Sequence, residues 1–192
     1  MKEGVSGYFD LLSDKSGVTL RFHYKETYDI ETAKSNLSIV KIQLKSASWM
    51  TTYWLDGTIT VEGQEIYNTD SHVGEHGAYV EVLDTFYDIT DGETEQVVTD
   101  FGTATDILHN DDGTKTVTIT VALTGYTQSG NAGSGWIVSD NVQIDLTQIQ
   151  RGLIYIDNGS GFDAYCIYID NGSSWDLYSA YIDNGDSWDF YG

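Results

Sequence analysis

Over most of the first 150 positions, hydrophobic and polar residues alternate with a period of two rather than the 3.6 of a helix. Val18, Leu20, Phe22 and Tyr24 interleave with Thr19, Arg21, His23 and Lys25, the pattern of a strand with one apolar and one wet face. Val40, Ile42 and Leu44 interleave with Lys41, Gln43 and Lys45 in the same way. The run from Trp49 to Leu55 is aromatic and has no clear phase. Ile59 and Val61 lead through Glu62, Gly63 and Gln64 to Ile66 and Tyr67, which predicts a hairpin. A further strand is expected from Tyr79 to Phe86. Val117, Ile119, Val121 and Leu123 alternate with Thr116, Thr118, Thr120 and Thr124. The preceding run with Ile107 and Leu108 meets that strand at Asn110–Gly113, whose Asp-Gly pair predicts a second hairpin. Gly125–Gly135 reads as a flexible glycine-rich loop, and Trp136, Val138, Val142, Ile144 and Leu146 as a closing strand or pair. Residues 29–36 read as a polar loop with at most one helical turn, and residues 68–77 and 88–96 as polar loops. Residues 1–16 read as a loosely held arm anchored by Tyr8, Phe9, Leu11 and Leu12.

Eight or nine short strands and no convincing helix predict an all-β domain over residues 17–150, an antiparallel β-sandwich of jelly-roll or immunoglobulin-like type. The absence of proline, with 20 glycines and 14 tyrosines, fits strands punctuated by turns.

The pattern changes at residue 153, where one phrase is written three times. Its copies run from Tyr155 to Tyr165, from Tyr168 to Tyr178 and from Tyr181 to Tyr191, and start 13 residues apart. Each copy has a β-rich run, an Asp-Asn-Gly turn and a second aromatic run, which predicts a small β-hairpin. A hairpin this short is marginal alone, so residues 153–192 are expected to form a repeated array that packs on its neighbours. Tyr155, Phe162, Tyr168, Trp175, Tyr181 and Trp188 recur in register as a ladder, with Asp176 and Asp189 beside it. Aromatic faces stack on sugar C–H surfaces and on quaternary ammonium groups, and nearby carboxylates bond hydroxyls or balance a cation. These eight residues are the candidate ligand-binding set. Burial of the same rings between repeats is the competing and simpler reading.

Charge narrows the classes of partner. The formal net charge is −21, all nine basic residues precede the repeats, and the tail holds seven acidic residues. Such a chain repels nucleic acid and anionic membranes. No apolar run approaches a membrane span, and the amino terminus lacks the apolar region of a signal peptide, so synthesis in a cytoplasm is expected. The single cysteine, Cys166, excludes an internal disulfide framework and reads as a packing residue.

Three further patterns are weaker. His72 and His76 stand four apart, but Gly74 and Gly77 deny them the helix a zinc pair needs, so no metal is expected. The Asp183–Asp186 turn lacks the full ligand set of a calcium loop and reads as a self-capped turn. Neither a nucleophile motif nor a fixed carboxylate pair is legible, so an enzyme is not expected, and no cofactor is implied.

Three segments carry a resemblance. The stretch from His109 through Gly113 and Lys115 to Val121 resembles the HN-x-DG-x-K element of a minor structural protein family found in tails of siphophages and prophages of Gram-positive bacteria. The run Trp54–Gln64 and the closing run Val142–Arg151 are similar to two other segments of that family, in the same order, with Gln150 where the family has proline. The Tyr-Ile-Asp-Asn-Gly repeats also look like those ending predicted phage tail proteins. The resemblance implies a virion tail-tip or fibre protein, made in the host cytoplasm and carrying no catalytic motif. It implies other tail proteins and a host cell-wall glycan or teichoic-acid-like receptor as partners, and a homo-oligomer by analogy with fibres and tip rings. The alternative is a stand-alone carbohydrate- or choline-type binding module.

Overall fold

The computed structural model describes residues 1–15, 17–46, 52–69, 85–89, 96–129 and 132–149, together with strand segments of the repeats and Gly172. Every regular element among them is a β-strand and every pairing is antiparallel. One sheet runs β1 (Lys2–Leu12), β2 (Val18–Asp29), β3 (Lys34–Ser46). The far edge of β3 is shared by β6 (Tyr87–Asp88) and β7 (Thr103–Leu108). The second sheet is ordered β5 (Gln64–Thr69), β4 (Thr52–Val61), β8 (Thr116–Ser129), β9 (Ala132–Asp145).

The two sheets face each other across one core, giving the antiparallel β-sandwich that alternation predicts. Leu20, Phe22, Leu37, Ile39, Ile42 and Leu44 come from the first sheet; Leu55, Ile59, Val61, Val117, Ile119, Val121, Leu123 and Val138 come from the second, all fully buried. The apolar runs therefore supply one half of each strand to the core while Thr, Lys and Asp wet the other half.

Several local expectations are corrected. The loose arm is an edge strand: β1 pairs with β2 from Lys2↔Tyr28 to Leu12↔Thr19 and stacks Phe9 on Phe22 at 5.0 Å between ring centroids. Polar and apolar positions in 1–12 disguise that strand because a bulge between Glu3 and Ser6 breaks their alternation. Residues 29–36 are not a loop; only Ile30–Ala33 turn, and β3 begins at Lys34. Within β3 the register slips at the pairs His23↔Lys41 and Tyr24↔Ile39, so Val40 is an extra, half-buried residue and Ile39 takes the core position. Gly125–Ser129 and Ala132–Gly135 are strand rather than loop: β8 and β9 stay paired through Gly125↔Trp136 as far as Ser129↔Ala132.

The two expected turns divide. Glu62 and Gly63 have φ of 50° and 78° and join β4 to β5 as a two-residue turn, as the sequence predicts. The Asn110–Gly113 turn does form, with Gly113 N donating to Asn110 O at 2.8 Å, but it is not a hairpin. β7 pairs with β3 and β8 with β4 and β9, so this turn carries the chain from one sheet to the other. The expected strand from Tyr79 lies outside the described residues except for Thr85 and Phe86, which lead into β6. The His72/His76 pair and the 150–152 boundary also lie outside them.

Side chains close the open flanks. Gln64 substitutes for a strand partner, its Nε2 donating to Thr105 O at 2.9 Å and its Oε1 accepting from Thr105 N at 3.1 Å. On the other flank Asp14 N donates to Ile137 O at 2.8 Å while Ile137 N donates to Asp14 Oδ1 at 2.7 Å. Such contacts occupy edge groups that would otherwise template pairing with another chain.

Glu62 does similar work at the β4–β5 turn. Its carboxylate accepts from Lys115 Nζ at 2.8 Å and from Thr118 N at 2.7 Å, and these bonds hold its pKa below the ordinary glutamate value. A depressed carboxylate stabilises the fold above the unfolded value of about 4.3 and loses that contribution as pH falls through its folded value. Glu62→Gln is therefore expected to flatten the acid limb of the stability curve by under about 1 kcal/mol, since the pair is partly solvated. Urea unfolding between about pH 3 and pH 6 measures this.

Candidate functional site

The three repeats share one cross-strand register. β10 (Leu153–Asp157) pairs with the first half of β11 (Phe162–Asp170), whose second half pairs with β12 (Trp175–Tyr178). β13 (Ala180–Asp183) pairs with β14 (Trp188–Tyr191) in a separate two-stranded sheet. Each repeat is thus an antiparallel strand pair, and the first two merge into one three-stranded sheet through β11. In the second repeat the pair flanking the turn is Asp170↔Trp175. Gly172 sits in that turn with φ of 88°, a conformation glycine adopts without the cost of a Cβ.

The register sorts the candidate residues. Asp157 stands opposite Phe162, Asp170 opposite Trp175 and Asp183 opposite Trp188. Tyr155, Tyr168 and Tyr181 lie two positions before those aspartates in the same strands. Strand alternation therefore puts the six positions Tyr155, Phe162, Tyr168, Trp175, Tyr181 and Trp188 on one face of their hairpins. Asp176 and Asp189 pair with Ile169 and Ile182, one residue out of phase, which assigns them to the opposite face. The aspartates that share the aromatic face are Asp157, Asp170 and Asp183, which the sequence reading noted only as turn residues. Pairing register was the missing signal, because Asp recurs on both sides of each turn.

A second cluster, on the outer face of the first sheet, escaped the sequence reading. The Arg21 guanidinium lies 4.0 Å from the centroid of the Tyr8 ring and 3.9 Å from that of Phe86. It also grips Asp10 with two bonds, Nε to Oδ1 at 2.7 Å and Nη2 to Oδ2 at 2.8 Å. The Arg21 hydrogen bond holds the Asp10 carboxyl below the usual carboxylate range. Beside them His23 Nε2 donates to Gln43 Oε1 at 2.8 Å, and Gln43 Nε2 donates to Asp88 Oδ1 at 2.7 Å. The register aligns this ladder, with Asp10, Arg21 and Gln43 in one row and Tyr8, His23 and Lys41 in the next. It is a hydrogen-bonded surface on which Tyr8 is 57% exposed.

A third cluster is buried. Glu26, Ser35 and His109 are 0%, 1% and 6% exposed and hydrogen-bonded in a row. Serine is the middle member, between carboxylate and imidazole, whereas a nucleophilic triad needs histidine in the middle. Burial also keeps a substrate from the hydroxyl. Among the described residues no group of three or more His, Cys, Asp or Glu is placed to hold a metal ion.

The chain matches no family model, no curated protein and no solved structure.

Proposed function

We propose that the chain is a structural protein of a phage tail whose sandwich presents the repeats to the host cell surface. The reading rests on the motif order from Trp54 to Arg151 and on one structural observation: all three repeats use the same cross-strand register. Aromatic–aspartate pairs that recur every 13 residues along the chain suit a ligand that is itself repetitive, such as a cell-wall glycan or a teichoic-acid-like polymer. Weak contacts to successive units add through effective concentration, so no single face needs high affinity. A homo-oligomer within the virion tail, contacting other tail proteins, would multiply the same effect.

Retention of the full-length protein on isolated Gram-positive cell walls tests the proposal. Trp175→Ala with Trp188→Ala is expected to weaken retention at least tenfold, about 1.4 kcal/mol, while leaving the sandwich's unfolding midpoint unchanged. Unchanged retention would remove the repeats from recognition. Absence of binding both to walls and to tail components would sink the tail-attachment role. A stand-alone carbohydrate- or choline-type module is the second reading, favoured by the same repeats. Capture of the glycan without any capture of tail proteins separates it from the first.

A further inference from the structure

Glu26, Ser35 and His109 hold a proton that simple counting requires. Ser35 Oγ lies 2.6 Å from Glu26 Oε1 and 2.7 Å from His109 Nε2. Two hydrogen bonds need two hydrogens, and the hydroxyl owns one. His109 Nδ1 lies 2.9 Å from the carbonyl oxygen of Gly113, which can only accept, so Nδ1 carries a hydrogen already. The second hydrogen of the row therefore sits on Glu26 Oε1 or on His109 Nε2. Placed on Glu26, it makes a neutral acid beside a neutral imidazole. Placed on His109, it makes a carboxylate beside an imidazolium. Either way the pair shares one proton and carries no net charge, as a coupled site does.

The other carboxyl oxygen ties two distant parts of the chain together. Glu26 Oε2 accepts from Val5 N at 3.0 Å in β1, and from Thr147 N at 2.9 Å and Thr147 Oγ1 at 2.7 Å in the segment after β9. Thr147 Oγ1 also accepts from Val5 N at 3.0 Å. Gly4 leaves the room this needs, since a Cβ there would overlap the Glu26 carboxylate. Residue 147 lies six positions before the first repeat strand at Leu153.

We propose that Glu26, Ser35 and His109 form a one-proton latch, which fastens β1 and the segment leading to the repeats and opens when the proton leaves. Without it, a carboxylate and a neutral imidazole compete for one hydroxyl hydrogen, and a buried carboxylate stands with no counter-charge. Moving Glu26 toward water relieves both, and that movement frees Val5 and Thr147. Among the described residues, the other ionisable groups around the site are engaged elsewhere. Lys25 bonds Glu3 on β1, Lys34 on β3 bonds Asp106 on β7, Asp112 accepts from Thr114, and Asp145 on β9 accepts from Thr116. Tyr24 and Tyr28 flank Glu26 along β2, with the Tyr24 hydroxyl against Gly7 and Tyr28 paired with Ser35 in the register.

Amide exchange of the full-length protein at Val5 and Thr147 tests the latch, corrected for intrinsic exchange, between about pH 6 and about pH 9. Wild type is expected to lose at least about tenfold in protection at these amides across that range. Glu26→Gln, whose amide donates to Ser35 as the protonated acid does, is expected to keep it. In parallel, the His109 ring 15N and Glu26 carboxyl 13C shifts of wild type count the protons directly. An ionised Glu26 beside a neutral His109 at about pH 6 would overturn the proposal. So would unchanged wild-type protection up to about pH 9, or a Glu26→Gln variant as unprotected as Glu26→Ala.

Discussion

Trp136→Ala is expected to destabilise the fold by about 3–5 kcal/mol, the range for deleting a fully buried large aromatic side chain. Trp136, in β9, is 2% exposed and belongs to the core cluster. Its place depends on a glycine opposite. Gly125 pairs with Trp136 in the register, and a Cβ built on Gly125 would overlap the six-membered ring of the indole. Gly125→Ala should therefore cost about 1–3 kcal/mol through overpacking. The two changes touch the same space, so the double variant should cost less than their sum, because the alanine methyl fills part of the cavity the indole leaves. The indole Nε1 is buried and makes no hydrogen bond, so Trp136→Phe should cost less than Trp136→Ala. Urea unfolding of the four variants measures all of this. A loss under about 1 kcal/mol for Trp136→Ala would show that this ring is not part of the core.

Gly113→Ala is expected to cost about 2–5 kcal/mol, the sum of left-handed backbone strain and overpacking. Gly113 has φ of 76°, and a Cβ there would land on the carbonyl oxygen of Ile149. The same residue gathers three bonds. Its N donates to Asn110 O at 2.8 Å, and its carbonyl accepts from Ile149 N at 2.9 Å and from His109 Nδ1 at 2.9 Å. Moving the turn to admit a methyl would pull on both the sheet crossing and the buried histidine. Gly63, with φ of 78° and open space around it, is the control: Gly63→Ala should cost only the strain, about 1–2 kcal/mol. Equal losses at the two sites would show that the Ile149 contact carries no weight.

The amino-acid pattern alone determined the fold class. A period of two over four or more residues can bury an apolar face only as a strand, and Val117, Ile119, Val121 and Leu123 are all buried in that phase, with Ala122 the one apolar residue on the outer face. The Glu62–Gly63 turn was legible for the same local reason, since two residues between alternating runs leave only the conformations that glycine favours. The 13-residue repeat and the aromatic periods in it were legible as well, because identity needs no structure to be seen.

Other features depend on who the partner strand is, and a local pattern does not say. The turn at Asn110–Gly113 has the chemistry of a hairpin but separates two sheets, since β7 finds its partner in β3, which lies some 70 residues earlier in the chain. Val40 looked inward until the bulge moved Ile39 into its place. Among the tail carboxylates, Asp176 and Asp189 leave the Trp face by strand alternation alone, but that Asp170 and Asp183 join it is a matter of cross-strand register. The Glu26–Ser35–His109 row was invisible for the same reason. Its members are separated by 9 and 74 positions and meet only because a sheet, a turn and an edge strand converge on one buried carboxylate. Local alternation decides which residues become strands; the pairing of distant strands decides which polar groups are buried together, because that choice rests on the summed packing of the whole core.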